Sequence, residues 1–204
     1  MTAPATASPT YAAKSATRGT AELCAVADLD DEARALLPAG APAPAPKAFF
    51  SLLMERKLHA DAIRFLAHAL PRREAVWWAW VCARKSTAAD ASPPVKQALE
   101  ATERWIVQPT EENRRQAMKA GEAADFGTAA GCAALAAFMS SGSLAPPDAP
   151  VVPPDEFLCA KAVSGSVMMA AVVPDAKRAP ERFVEYLGLG LEVAERTKLW
   201  PAGA

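Results

Sequence analysis

Histidine is almost absent from the sequence, and cysteine is rare and scattered. The two histidines, His59 and His68, are nine positions apart, and this spacing would place them on opposite faces of one continuous helix. A metal site needs three or four converging ligands. The sequence therefore predicts no metal site. None of the four cysteines belongs to a C-x-x-C pair; they are Cys24, Cys82, Cys132 and Cys159.

Long hydrophobic runs are also missing. The longest apolar stretch covers residues 162–173 and is interrupted by Ser164, Gly165 and Ser166, whereas a membrane-spanning helix needs about 20 apolar residues. No apolar segment of signal-peptide type lies near the N-terminus. Isolated cysteines then fit small buried side chains in a reducing compartment. We expect a soluble, cytoplasmic protein without a membrane segment.

The chain also lacks an excess of basic charge. It has 22 basic and 23 acidic residues, for a net charge of −1. The basic residues occur as scattered pairs, such as 114–115 and 177–178, and paired charges of this kind are typical of solvated helix faces. Nucleic-acid binding depends on a basic domain or stripe that neutralises phosphates. We expect no nucleic-acid partner.

No segment shows sustained alternation of apolar and polar residues, so the sequence predicts no β-sheet. Alanine, the strongest helix former, is abundant, and the 18 prolines separate apolar segments of helical spacing. These segments predict an all-α protein of about eight helices, arranged as an irregular multi-helix bundle or as stacked helical hairpins. Residues 61–70 and 72–86 would form one such hairpin.

The chain divides at an Ala-Pro segment over residues 39–46. Residues 1–46 include Ala-, Thr-, Ser- and Pro-rich stretches that bury too little apolar surface to offset the entropy of ordering, so we expect a largely disordered tail and linker. Apolar spacing over 21–37 allows one short helix, which an acidic run interrupts. Residues 47–204 would form a single helical domain.

The segment 72–86 is the most informative one. Its middle is apolar on every face of a helix, which predicts a central helix enclosed by its neighbours. The tryptophans Trp77, Trp78 and Trp80 point in different directions, so we expect their rings to be buried against several helices. The Ala-rich helix that begins at Thr128 has the small side chains needed to pack closely beside it.

Two short motifs resemble those of enzymes but lack the context that the chemistry needs. Residues 125–127 spell the Asp-Phe-Gly triplet of protein kinases, without the Gly-rich loop or the catalytic loop that accompany it. The Gly-Leu-Gly at 188–190 follows no strand and therefore cannot be a dinucleotide-binding loop. We assign no catalytic residue and expect no cofactor.

Two features remain as candidate ligand or partner sites. The indoles of Trp77 and Trp78 could line an aromatic pocket, and core packing is the alternative explanation of the same cluster. Arg72 and Arg73 begin the tryptophan helix, where an anion could bind, and Arg84 lies near its end. The alternative for the first two arginines is a solvated turn whose side-chain stems cover apolar surface.

The segment Leu-Pro-Arg-Arg-Glu-Ala-Val-Trp-Trp-Ala at residues 70–79 resembles the signature of an uncharacterised bacterial family of unknown function. The similarity continues through 105–109, Glu-Asn-Arg-Arg at 112–115, residues 141–146 and Trp200, and spans residues 45–201 approximately. The resemblance implies a helical fold of this length and no assigned activity. It also implies genes near type VI secretion or related injection-system loci.

These observations predict a non-catalytic protein–protein interaction module: an adaptor, chaperone or scaffold component of a bacterial assembly such as a secretion or injection system. A protein partner is therefore expected. The alternative is a small-molecule-binding protein or an enzyme with a Trp-lined pocket, into which Arg72, Arg84 or Glu103 would point. A fully packed tryptophan helix would exclude that alternative.

Overall fold

The computed structural model describes residues 18–40 and 42–200 of the chain. These residues contain ten α-helices and no strand, which confirms the predicted all-α class and comes close to the predicted number of helices. The short 3-10 turn Ala176–Arg178 precedes the last helix. The helices are α1 (Thr20–Val26), α2 (Asp31–Arg34), α3 (Pro46–Glu55), α4 (His59–Ala69), α5 (Arg72–Ser86), α6 (Pro93–Val107), α7 (Glu111–Ala124), α8 (Ala129–Phe138), α9 (Leu158–Val172) and α10 (Ala179–Arg196).

Proline and threonine residues begin most of the longer helices. Helices α3, α6 and α10 each carry a proline in the first turn, where the missing N–H removes no helical hydrogen bond. Thr110 and Thr128 precede α7 and α8. Their hydroxyl oxygens accept hydrogen bonds from the backbone N–H groups of Asn113 and Gly131, so each threonine satisfies a donor that the helix leaves unpaired.

Two helix boundaries differ from those that the sequence pattern predicts. Gly127 is expected to close α7, but the helix ends earlier because Asp125 adopts a φ of 67° and accepts a hydrogen bond from the Gly127 N–H. Asp155 is expected to begin α9, but the helix starts at Leu158. The Asp155 carboxylate instead accepts the N–H of Phe157 in the turn before the helix.

Helix α5 occupies the centre of the bundle and contacts α6, α8, α9 and α10. Trp78 is fully buried, and its indole N–H donates a hydrogen bond of 2.8 Å to the backbone oxygen of Tyr186 in α10. Trp80 is buried as well, and its indole N–H donates to the backbone oxygen of Leu99 in α6. The predicted central position of this helix is confirmed. The ring of Trp77, however, stays partly exposed.

The expected hairpin of residues 61–70 and 72–86 is not formed. Helices α4 and α5 follow each other in the chain but make little contact, and both pack on α9 instead. The backbone of Leu70 and Pro71 is extended, with ψ angles of 145° and 144°, so the chain leaves α4 at an angle that keeps the two helices apart. The arrangement is that of an irregular bundle.

Small residues let α8 approach its neighbours closely. A Cβ atom at Gly121 of α7 would lie 3.0 Å from the backbone oxygen of Gly131 and 3.1 Å from the Cβ of Ala134. Helix α8 also contacts α5, α6 and α9. The predicted close packing of the Ala-rich helix beside the tryptophan helix is therefore confirmed.

The N-terminal segment packs on α4 within residues 18–40. Where the sequence allows one short helix over 21–37, the structure has two, α1 and α2. Leu23 of α1 is buried against the bundle. The buried Asp61 carboxylate accepts the backbone N–H of Asp30 at 2.9 Å, and Arg64 pairs with both aspartates. The expected tail and linker cover residues 1–46, of which residues 1–17 and residue 41 lie outside the described residues.

Helix α10 returns across the bundle after a bend and contacts α4, α5 and α9. At the end of the described chain, the ring of Trp200 lies 5.9 Å from the ring of Phe50 in α3, as measured between centroids. Trp200 therefore returns onto the bundle at α3. In the described ranges no single helix has the length and apolar character to cross a membrane. One pair, Leu158–Val172 and Ala176–Arg196, meets these criteria together, and the pair is bent by 110° at its break.

Candidate functional site

A cleft between α5 and α10 opens to solvent, and we name it the α5–α10 cleft. Its cavity volume is about 90 Å³. Its lining is mainly apolar, with one carboxylate and one guanidinium. The lining residues are Trp77, Trp78, Val81, Leu189, Glu192, Val193 and Arg196.

Gly190 determines how closely α10 approaches the floor of this cleft. A Cβ atom at Gly190 would lie 2.7 Å from both Leu66 Cδ2 and Trp78 Cε2, a distance that real Cβ contacts do not reach. The hydrogen bond from Trp78 to the Tyr186 oxygen fixes α10 one turn earlier. These two contacts hold α10 against α5 and α4 and leave the cleft beside them.

Trp77 and Arg196 form the exposed part of the cleft. The guanidinium carbon of Arg196 lies 5.7 Å from the centroid of the Trp77 ring, within the range of a cation–π interaction. Glu192 precedes Arg196 by one turn of α10, so the two charges flank the indole on the same helix. The cleft therefore presents an aromatic surface beside charges of both signs.

A salt bridge marks the other end of the same helix pair. Lys85 Nζ lies 2.8 Å from Glu185 Oε1, and this hydrogen bond raises the pKa of Lys85 above its usual value. Because Lys85 meets the early part of α10 while Trp77 meets Arg196 near its end, the two helices run antiparallel. The cleft lies toward the N-terminal part of α5.

The structure brings together only two of the five predicted site residues. Trp77 and Trp78 both line the α5–α10 cleft. Arg72 donates hydrogen bonds to the backbone oxygens of Ser140 and Glu156. The lining of the cleft includes none of the polar residues that the pocket hypothesis places there, Arg72, Arg84 and Glu103.

Arg73 and Arg84 also interact within the fold. Arg73 Nε donates a hydrogen bond of 2.7 Å to the backbone oxygen of Ile106, and its guanidinium also reaches the oxygen of Val107. These carbonyls belong to the last turn of α6, where a cation is favourable. The guanidinium of Arg84 lies 5.2 Å from the centroid of the Trp80 ring. Arg73 therefore caps the C-terminal end of α6 and does not form one anion site with Arg72.

Among the described residues the most deeply buried charge is Arg114, whose pairing with Arg115 in the sequence predicts a solvated helix face. The Arg114 side chain is fully buried and pairs with the Glu111 carboxylate, with Nε 2.6 Å from Oε2. It also donates to the backbone oxygens of Phe138 and Ser143. Hydrogen bonding from Arg114 lowers the pKa of Glu111. The signal in the sequence is the spacing of Glu111, three and four residues before two adjacent arginines.

The same arginines hold a proline-containing segment, residues 143–154, which we name the Pro-rich loop. Arg115 Nη2 donates a hydrogen bond of 2.9 Å to the oxygen of Ala145. The Ser143 hydroxyl oxygen accepts the N–H groups of Ala145 and Val152, and the Leu144 N–H donates to the Val152 oxygen at 2.7 Å. These bonds close the loop at its base.

Gly142 allows Arg114 to reach the base of this loop. Its φ is +72°, and a Cβ atom there would lie 2.8 Å from three atoms of the Arg114 guanidinium. Any other residue would be strained in its backbone and would collide with the arginine. Glycine at position 142 is thus explained by the buried charge beside it.

The imidazole ring of His68 is buried, and within the described residues only one of its two nitrogens forms a hydrogen bond. Its Nδ1 lies 2.8 Å from the backbone oxygen of Arg64, so Nδ1 carries the proton and donates it. Its Nε2 is buried and finds no hydrogen-bond partner among the described residues. Burial lowers the pKa of His68, and the positive charges of Lys161 and Arg18 lower it further. The neutral form is therefore favoured in the folded state.

Neither a metal centre nor a reactive thiol occurs in the described part of the chain. No group of three or more His, Cys, Asp or Glu side chains could hold a metal ion there. All four cysteines are buried and free. Burial raises the pKa of Cys24 and of Cys132 to about 11 and that of Cys159 to about 12. These thiols are protonated at neutral pH, and a protonated thiol is a poor nucleophile.

Comparison with known proteins places the helical bundle in a family. No curated protein and no solved structure matches the chain. The sequence model of DUF6931, described as a family of unknown function, matches residues 49–194. The matched part runs from the beginning of α3 into the last turns of α10, so it includes the Pro-rich loop and every lining residue of the α5–α10 cleft except Arg196. The chain therefore belongs to the DUF6931 family of unknown function.

Proposed function

We propose that the chain is a protein–protein interaction module, an adaptor, chaperone or scaffold component of a larger assembly, and that the α5–α10 cleft receives its partner. The observation that supports this most directly is the partly exposed ring of Trp77 beside the guanidinium of Arg196. Tryptophan and arginine are the residue types that most often dominate the energy of protein interfaces.

The fold prepares this site for binding. Trp77 lies on the central helix, and the neighbouring Trp78 is locked by its hydrogen bond to Tyr186. Arg196 packs on the ring of Trp77 before any partner arrives. Side chains that are already ordered lose less entropy when a partner binds. A preformed apolar surface of this kind favours binding without large rearrangement.

The charges beside Trp77 define the chemistry of the partner. Among the described residues Arg196 makes no ion pair, and its side chain is exposed. A partner helix that inserts one large apolar side chain over Trp77 and places a carboxylate near Arg196 would complement the cleft. A basic side chain one turn away on that helix would face Glu192. Complementary charges of this kind favour one orientation of the partner.

The assembly itself is proposed from the resemblance described above. The segment at residues 70–79 resembles a bacterial signature that is associated with type VI secretion or related injection-system loci. This resemblance supports a bacterial cytoplasmic adaptor for such a system. Purification of secretion complexes from the native host, with this chain as an expected stoichiometric component, would test that assignment.

A pair of charge-reversal variants tests the cleft. The full chain, tagged and expressed in its native host, is compared with Arg196→Glu and with Arg104→Glu, which alters an exposed arginine of α6 outside the cleft. We expect a stoichiometric partner with the unmodified chain and with Arg104→Glu, and roughly a tenfold or greater loss of affinity with Arg196→Glu. Reversal of a carboxylate on the purified partner should restore binding to Arg196→Glu.

Two results would contradict the proposal. One is a chain that purifies without a partner under all conditions. The other is a partner whose affinity is unchanged in both Arg196→Glu and Trp77→Ala. Far-UV circular dichroism and a thermal melt of each variant show whether a loss of binding reflects unfolding.

A small-molecule ligand is the second candidate, because the cleft combines the partly exposed ring of Trp77 with two charged side chains. The cavity volume of about 90 Å³ is below the roughly 300–1,000 Å³ of drug-sized sites, so the cleft fits a small ligand or one end of a larger one. A thermal-shift screen of a metabolite library against the full chain would detect such a ligand. A shift that Trp77→Ala abolishes, with no protein partner found, would replace the interaction module by a small-molecule-binding protein.

A further inference from the structure

The Pro-rich loop exposes two neighbouring valines to solvent. The side chains of Val151 and Val152 are 76% and 50% exposed. A turn at its tip is closed by the hydrogen bond from the Ala149 N–H to the Pro146 oxygen. Large apolar side chains with this degree of exposure lose contact with water only when another molecule covers them.

The sequence of the loop restricts its second half to an extended backbone. Residues 150–154 read Pro-Val-Val-Pro-Pro. Each proline fixes its own φ near −65°, and a residue that precedes proline is driven to the extended or polyproline II region. Residues 147–150 and 150–153 both have the spacing Pro-x-x-Pro. Segments with this spacing are recognised as polyproline II helices in grooves lined by aromatic side chains.

The arginines hold both ends of the loop. Arg72 donates to Ser140 before the loop and to Glu156 after it. Arg114 and Arg115 donate to Ser143 and Ala145 at the start of the loop. Three arginines therefore donate hydrogen bonds to carbonyl groups beside one exposed proline segment. A rigid support of this kind lowers the entropy that the segment loses on binding.

We infer that the Pro-rich loop is a docking ligand that inserts into an aromatic-lined groove of a partner protein. Pro150, Val151 and Pro153 enter the groove. The segment 144–156 contains Asp148, Asp155 and Glu156 and no lysine or arginine, so the groove of the partner carries basic residues at its rim. This surface is separate from the α5–α10 cleft, and the inference does not depend on the proposed function of the cleft.

Site-specific photocrosslinking in the native host tests the loop in the full chain. The photoreactive residue p-benzoylphenylalanine replaces Val151 in one variant and Val173, which is 70% exposed at the end of α9, in the control. We expect a protein crosslinked through position 151 and not through position 173. Capture alone does not support the inference. The crosslinked peptide of the partner must map to a groove that contains aromatic side chains.

Affinity measurements with the recovered partner complete the test. Val151→Asp and the double variant Pro150→Ala/Pro153→Ala should each raise the Kd by roughly tenfold or more, whereas Val173→Asp should leave it unchanged. Arg196→Glu should also leave it unchanged, which separates this surface from the cleft. No crosslink above the control, a crosslink to a surface without aromatic residues, or an unchanged Kd in the double variant would overturn the inference.

Discussion

The indole nitrogen of Trp78 lies 2.8 Å from the backbone oxygen of Tyr186, and this hydrogen bond joins the central helix to the last one. One turn further along α10, Gly190 touches the same indole ring. The two contacts set the separation of α5 and α10. The shape of the α5–α10 cleft, and with it the exposure of Trp77, follows from that separation.

Gly190 and Gly188 provide a matched pair of substitutions on one helix. Gly190→Ala places a Cβ atom 2.7 Å from atoms of Leu66 and Trp78, and we expect this overpacking to lower the free energy of unfolding by about 1–3 kcal/mol. Gly188 has nothing within 4 Å of its Cβ position, so Gly188→Ala should raise stability by about 0.5–1 kcal/mol through helix propensity. Urea unfolding followed by circular dichroism measures both. Equal effects of the two substitutions would contradict the close approach at Gly190.

Removal of the buried charge of Arg114 should destabilise the bundle strongly. Arg114→Met removes the donor to the backbone oxygen of Phe138 and the shorter of the two hydrogen bonds to that of Ser143, which keeps Arg115 at 3.4 Å, and we expect a loss of about 2–4 kcal/mol. Arg115 is partly exposed, so Arg115→Met should cost about 1 kcal/mol or less. Chemical denaturation of the two variants gives the comparison. If Arg114→Met proves as stable as the unmodified chain, the buried network does not stabilise the fold.

The stability of the protein should fall as the solution becomes acidic below pH 6.5. Burial lowers the pKa of His68 from that value, so the unfolded chain binds a proton at a pH where the folded chain does not, and protonation favours unfolding. The loss begins near pH 6.5 and continues down to the lowered pKa of the folded state. The free energy of unfolding, measured at several pH values on both sides of 6.5, should depend less on pH in His68→Gln. Identical pH profiles for His68→Gln and the unmodified chain would exclude His68 as the responsible group. Burial also lowers the pKa of His59, so His59→Gln is measured separately.

The four cysteines should resist modification in the folded protein. All four side chains are buried. Burial raises the thiol pKa to about 11 for Cys24 and to about 12 for Cys159. We expect a chromogenic disulfide reagent to react slowly with the native chain at mildly alkaline pH and with all four thiols after denaturation. Rapid reaction of one thiol in the native chain would identify a helix that opens locally.

The sequence was sufficient to predict the helical class and the central helix because both depend on local patterns. An apolar middle of α5 requires neighbours on every side, and Trp78 and Trp80 have them. Trp77 could not be distinguished from these two, since its partial exposure depends on where α10 touches α5. That contact is made at Gly190, more than a hundred positions away in the chain, and no local pattern specifies it.

The burial of Arg114 shows a second limit of the pattern. An arginine counts as polar in any periodicity, so α7 reads as a peripheral helix, although Arg114 is its most buried large side chain. The carbonyl groups that receive its donors belong to Phe138 and Ser143, and their position depends on the packing of α8. The predicted site residues Arg72 and Arg73 are likewise used to bind backbone oxygens.

The double attachment of Arg72 has a geometric consequence for assembly. Arg72 supports the flanks of the Pro-rich loop, and Trp77 of the cleft lies five residues later on the same helix. A helix advances about 1.5 Å and turns about 100° per residue. Arg72 and Trp77 are therefore about 8 Å apart along the axis of α5 and about 140° apart around it. Two macromolecules could thus occupy opposite sides of one rigid rod at the same time, with this chain as the bridge in a three-component complex.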